Sequence, residues 1–172
     1  MILFKIYYHL MAILKKLLFY IAYGNRISFG KHTTFRRGFE IAIEQDGKIT
    51  IGHNCFFNHW CSISSCKQIT IGCDSIFGEN VKFYDSNHHF SSPGSIKDQG
   101  YSTGEIHVGN HCWVGSNVTF LKGANVGDHC IIGAGCIIDG TIPDKTLVVA
   151  DRQLVLKPIR IKESENYHGE NH

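Results

Sequence analysis

VGNHCWVGSNVTFLKGANVGDHCIIGAGCIIDGTIP, residues 108–143, divides into six consecutive hexads without a gap. The first position of each is Val, Ile or Phe: Val108, Val114, Phe120, Val126, Ile132 and Ile138. The second is usually Gly. The fifth is usually small, as at Cys112, Val118, Ala124, Cys130 and Cys136, with Ile142 the exception. A fixed short period of this kind marks a repeat architecture and takes precedence over any element-by-element reading.

The same rhythm extends towards the N-terminus. IGHNCF, FNHWCS and ISSCKQ run from Ile51, and IGCDSI, FGENVK and FYDSNH from Ile71. A weaker run starts near Phe29 (FGKHTT, FRRGFE) and continues through Ile41 and Ile43. One obligate apolar residue in six fits a short strand and a turn. Three such units close a triangular coil of 18 residues, and stacked coils lie about 4.8 Å apart, as hydrogen-bonded strands do. A single coil cannot bury its own apolar edge, so several must stack. The expected fold is all-β, a parallel β-helix over residues 24–146. Gly in the second place suggests a corner that needs positive φ.

This phase accounts for most of the seven cysteines. Cys55, Cys61, Cys112, Cys130 and Cys136 all fall at fifth positions, where Cys acts as a small buried hydrophobe. Cys66 and Cys73 are out of phase and are expected to be more exposed. No C-x-x-C pair argues for a metal or redox site.

Residues 1–23 place Leu3, Ile6, Tyr7, Leu10, Ile13, Leu14, Leu17, Leu18 and Ile21 at spacings of three and four, the pattern of an amphipathic helix. Such a helix can cap the open first coil, whose strand edges would otherwise be bare. It can also lie on a membrane surface, with Lys5, Lys15 and Lys16 at lipid headgroups. The uncharged runs 6–14 and 17–25 fall short of the roughly 20 residues of a membrane span, and no signal peptide is evident, so the cytoplasm is the expected compartment. The net charge of +2 gives no basic stripe for nucleic acid.

The rhythm breaks over residues 84–106, YDSNHHFSSPGSIKDQGYSTGEI, a polar insertion expected to be a long functional loop. Asp85, Asn87, His88 and His89 cluster there. Histidine suits proton removal from a hydroxyl near neutral pH, and a carboxylate such as Asp85 can fix its tautomer or cap a turn. The in-phase cysteines are poor nucleophiles and no GxSxG elbow occurs, which leaves direct attack by an activated acceptor. His53, His59, His107, His111 and His129 offer a metal-dependent alternative. His111 and His129, 18 apart, would stack on adjacent coils. Residues 147–172 are expected to leave the helix as a short strand and tail.

These hexads, with YDSNHHF, DQG at 98–100 and IHVGNHCWVGSNVTFLKGANVGDHCIIGAGCII, resemble the left-handed β-helix acyltransferases. Within that group they resemble the sugar O-acetyltransferases: thiogalactoside and maltose acetyltransferases and, above all, enzymes that decorate capsule and lipopolysaccharide sugars. The resemblance implies left-handed coils and a homotrimer with sites between subunits. It implies acetyl-CoA as co-substrate with no metal, and a sugar or glycan acceptor. Through Val81 and Phe90 the catalytic histidine falls on His88, with His89 the other choice. Trp113 would line the cleft, and Ser116 and Ala134 would contact the coenzyme. Asp85, Asn87, His89 and Asn58 would meet the acceptor. Asp139 and Gly140 replace the family's threonine-lysine pair at the coenzyme phosphates, and ADRQLVLK replaces its Pro-Ala-Lys tail. Arg152, Lys157 and Arg160 are substitutes for those contacts. N-acetylation of an amino sugar, a carbonic anhydrase-like hydratase and a non-catalytic β-helix are the competing readings.

Overall fold

The computed structural model describes residues 2–151, so Arg152, Lys157, Arg160 and the expected tail lie outside the described residues. Helix α1, Ile2–Tyr23, is followed by a left-handed parallel β-helix with three flat sheets. The first sheet stacks Ile27–Phe29, Lys48–Ile51, Gln68–Ile71, Ile106–Val108, Asn125–Val126 and Thr141–Ile142. The second stacks Thr34–Phe35, Phe56–Phe57, Ile76–Phe77, Trp113–Val114, Ile131–Ile132 and Leu147–Val148. The third stacks Glu40–Ile43, Ser62–Ser65, Lys82–Tyr84, Thr119–Leu121 and Ile137–Ile138. Leu147–Val148 therefore continues the second sheet instead of leaving the helix.

The register shows why the coils are not all 18 residues long. Ser28, Thr50, Thr70, His107, Asn125 and Thr141 form one column of the first sheet. Thr34, Phe56, Ile76, Trp113, Ile131 and Leu147 form the matching column of the second. Glu40, Ser62, Lys82, Thr119 and Ile137 form that of the third. Each step from the first sheet to the second, and from the second to the third, is six residues. The step from the third sheet back to the first is 10, 8, 25, 6 and 4 residues in successive coils. The first two corners are invariant and the third absorbs every change in length.

The invariant corners also correct the expected role of glycine. Positive φ belongs to the fourth hexad position: His32, Asn54, Asp74, His111, His129 and Lys145 at the first corner, and Gly38, Trp60, Asn80, Asn117 and Gly135 at the second. The second-position glycines serve close approach instead. A Cβ on Gly72 would lie 2.6 Å from the carbonyl carbon of Gly109, and one on Gly115 would lie 2.7 Å from the amide nitrogen of Ala134. Coils one strand spacing apart leave no room there for a side chain.

First-position residues fill the interior. Val108, Val114, Phe120, Val126, Ile132 and Ile138 are all buried, as are Ile51, Phe57, Ile63, Ile71, Phe77 and Phe83. Phe57 stacks on Phe77 with centroids 4.5 Å apart, and Phe83 on Phe120 at 4.7 Å. Full burial of such a side chain contributes about 1.5–3 kcal/mol, so a few residues per coil supply most of the driving force. Cys55, Cys61, Cys112, Cys130 and Cys136 are buried at their fifth positions. Burial pushes the Cys61 thiol up to about 11 and raises those of Cys55 and Cys112. Cys66 is buried too, against expectation, whereas Cys73 is partly exposed. Thiol titration of the native protein near pH 8 is therefore expected to find one fast-reacting cysteine per chain, lost in Cys73→Ser. All seven should react after denaturation. Fast reaction of several thiols in the native state would contradict this packing.

Helix α1 caps the first coil. Ala12 and Phe19 are buried, and Phe19 packs against Phe29, Phe35 and Phe39. The Tyr23 hydroxyl donates to the Ile41 carbonyl at 3.1 Å, and Lys16 donates to the Thr33 carbonyl. Lys15 pairs with Glu40 at 3.0 Å. Lys15 and Lys16 thus face the β-helix, not the lipid headgroups that one reading assigned them. No helix among the described residues is long and apolar enough to cross a membrane.

Candidate active site

The insertion at the third corner is more regular than its sequence suggests. Tyr84 ends a strand of the third sheet and Ile106 begins one of the first, so the excursion itself is shorter than 84–106. Ser86–His88 pairs antiparallel with Tyr101–Thr103, and a 3₁₀ turn, Ile96–Gln99, closes the far end. The Gln99 side chain bridges to the Ser92 backbone through both its oxygen and its nitrogen. A two-stranded ribbon therefore projects from the corner.

Asp85 fixes the neck of this ribbon. Its carboxylate accepts from the Ser65 hydroxyl at 2.7 Å, the Cys66 amide at 2.7 Å and the Lys67 amide at 2.9 Å. Its own carbonyl accepts from the Gly104 amide at 2.9 Å. Asp85 is completely buried, so its carboxylate caps the preceding turn and has no surface for a substrate, contrary to its expected place among the acceptor contacts. The same contacts bury Cys66.

His88 lies across the ribbon from Tyr101, and their ring centroids are 4.4 Å apart. The His89 amide donates to the Gly100 carbonyl at 3.0 Å. A cleft of about 240 Å³ is lined by Asn87, His88, His89, Phe90, Ser91, Ser102 and Lys122. Asn87, His88 and His89 are exposed. Lys122 arrives from the third corner of the next coil and donates to the Ser102 hydroxyl. Neither Tyr101 nor Lys122 was singled out in the sequence. The signal for Lys122 is its hexad, FLKGAN, whose second place holds Leu121 instead of Gly. The arrangement offers an imidazole held against an aromatic ring, beside a cation and amide and hydroxyl groups.

The remaining candidates sit elsewhere. Trp113 projects outward from the second sheet and is 56% exposed. Ser116 and Ala134 occupy equivalent places at the second corner of adjacent coils, where the Ser116 hydroxyl accepts from the Glu79 amide at 3.1 Å. Asn58 belongs to the same corner two coils earlier. Its side-chain oxygen accepts from Arg36 at 3.3 Å and from the His59 amide at 3.0 Å. Within one chain the second corner and the ribbon's third corner are separated by a strand of the third sheet, Thr119–Leu121. The histidine set and the coenzyme set are therefore not brought together by one subunit. His111 and His129 do stack, with centroids 4.8 Å apart. Among the described residues no three His, Cys, Asp or Glu side chains converge as a metal site.

Residues 105–140 match the family described as bacterial transferase hexapeptide (six repeats). A protein of Escherichia coli (strain K12), named a lipopolysaccharide biosynthesis O-acetyl transferase, is 28% identical over 80% of this chain and 74% of its own. The chain is similar to the hexapeptide-repeat acetyltransferases. Curated relatives from fission yeast and Staphylococcus aureus match over 58% and 55% of their own lengths. Among solved structures, a maltose O-acetyltransferase from Clostridium difficile 630 superposes with a TM-score of 0.59 at 26% identity, covering 77% of this chain and 71% of that one. A Vibrio cholerae hexapeptide-repeat acetyltransferase in complex with acetyl coenzyme A shares the fold, with a TM-score of 0.60 at 22% identity over 71% of this chain and 64% of its own.

Proposed function

We propose that this hexapeptide-repeat protein transfers the acetyl group of acetyl-CoA to a hydroxyl of a sugar or glycan precursor of a surface polysaccharide. The observation that carries the reading is His88, exposed in a cleft, braced by Tyr101, on a ribbon whose neck Asp85 anchors. Its imidazole takes the proton from the acceptor hydroxyl. The oxygen attacks the thioester carbonyl, a tetrahedral oxyanion forms, and its collapse breaks the carbon–sulfur bond. The protonated imidazole then returns the proton to the departing thiolate of coenzyme A. Asn87, His89 and Ser102 border the space an acceptor would fill, and Lys122 gives it positive charge.

A homotrimer reconciles the separated corners. A ribbon at the third corner of one subunit would face Trp113, Ser116 and Ala134 at the second corner of a neighbour. The coenzyme's thioester would then lie between subunits. Acetyl-CoA as co-substrate accords with a cytoplasmic reaction. The sugar reading draws support from the names of the Escherichia coli relative and the Clostridium difficile structure.

Release of free thiol from acetyl-CoA, followed over a panel of sugars, nucleotide sugars and amino sugars, tests this. Turnover is expected with hydroxyl acceptors. Turnover confined to amino sugars would replace O-transfer by N-transfer, and turnover with none would remove the reading. Trp113→Ala is expected to raise the KM for acetyl-CoA by about three- to tenfold, the worth of one aromatic contact. Only a small change in kcat should accompany it.

A further inference from the structure

We propose that α1 seats this end of the β-helix on an anionic membrane surface, its outer face among the lipid chains and the basic groups beside it among the headgroups. The outer face is the first observation. Ile6, Leu10, Ile13, Leu14, Leu17 and Ile21 lie opposite the buried Ala12 and Phe19, and each is more than half exposed. No charged residue interrupts this stripe, because Lys15 and Lys16 are turned inward to Glu40 and Thr33. An uninterrupted apolar ridge six side chains long exceeds the scattered apolar residues of an ordinary surface.

Charge complementarity decides what covers it. Two clefts run along the flanks of α1. One is lined by Tyr7, Tyr8 and the turn carrying Arg36 and Arg37, the other by His9, Ile13 and the turn carrying His32. Lys31, beside His32, and Arg36 and Arg37 are exposed and form no ion pair among the described residues. Instead Arg36 lies over Tyr8 and Phe56, and Arg37 over Trp60. Through the last turn of the first coil, residues 1–47 hold seven Lys or Arg against Glu40, Glu44 and Asp46, and the rest of the chain holds 10 against 12. The end that bears the apolar ridge is thus the positive end. Such a pairing favours in-plane insertion into a leaflet with anionic headgroups. It disfavours covering the ridge with the same positive end of a second copy.

Co-sedimentation of the full chain with vesicles tests this without any turnover, so it stands apart from the catalytic reading. The protein is expected to sediment with phosphatidylcholine–phosphatidylglycerol vesicles, weakly with phosphatidylcholine alone, and less as salt rises. Leu14→Glu with Leu17→Glu should abolish binding, with circular dichroism and melting temperature unchanged, since both side chains are exposed. Arg36→Gln with Arg37→Gln should weaken binding to the anionic vesicles by about tenfold to thirtyfold. Failure to sediment with the anionic vesicles overturns the proposal, as does equal binding to neutral ones. A fall in subunit number of the Leu14→Glu, Leu17→Glu protein in sedimentation equilibrium would also overturn it, assigning the face to a second copy.

Discussion

His88→Ala is expected to lower kcat by about 10²–10⁴-fold, the range over which a positioned general base acts. The melting temperature should stay within about a degree of the parent, because the side chain is exposed and substitutions of exposed side chains change stability by roughly half a kcal/mol or less. Kinetics with saturating acetyl-CoA and acceptor, beside a melting curve, check both parts. His89→Ala is the necessary companion. Both imidazoles border the same cleft, yet only His88 is braced by an aromatic ring, Tyr101 at 4.4 Å. A base must be held in place to gain from proximity. Loss of activity in His89→Ala with His88→Ala near the parent would transfer the role to His89. Near-parent activity in both would remove histidine base catalysis altogether.

The second large effect is expected at Asp85. Removing its carboxylate in Asp85→Ala leaves the Ser65 hydroxyl and the Cys66 and Lys67 amides without their acceptor. Hydrogen bonds to a charged group contribute about 1.5–3 kcal/mol each, and the losses are not additive, so roughly 3–5 kcal/mol of destabilisation is expected. Denaturant unfolding measures it. Asp85 also positions the ribbon that carries His88, and a purely structural residue would not affect chemistry below the melting transition. At a temperature where the variant remains folded, kcat is therefore expected to fall while the KM for acetyl-CoA changes little. Asp85→Asn, which keeps one acceptor oxygen but sets its own NH2 against the Cys66 or the Lys67 amide, should fall between. Unchanged kcat in a folded Asp85→Ala protein would confine the residue to stability.

Much of this molecule is written in its sequence because a coil needs one inward apolar residue in every six. Val108 to Ile138 and Ile51 to Phe83 follow that rule, and so do the buried fifth-position cysteines. The rule has nothing to say about positions whose surroundings are set by a distant segment. Cys66 is out of phase by counting, yet a carboxylate 19 residues later reaches back to its amide and encloses it. The glycines were legible as corner residues, but their purpose was not. Close approach to the next coil is a three-dimensional fact, whereas positive φ went to Asn54, Asn80 and their equivalents two residues further on. Within the site, the two histidines announced themselves by interrupting a regular pattern. Tyr101 and Lys122 did not, because each meets His88 or its cleft only through ribbon pairing and coil stacking.

The variable third corner has a practical consequence. Steps of 4 to 25 residues are tolerated there while the other two corners keep a constant six. Entropy of loop closure grows only slowly with length, so an added segment at this edge costs little. The edge is therefore a grafting port. An epitope, a cross-linking handle or a second ribbon spliced between Glu44 and Gly47 would leave the hexad register intact, whereas one extra residue at Asn54 or Asn117 would throw every later side chain out of phase.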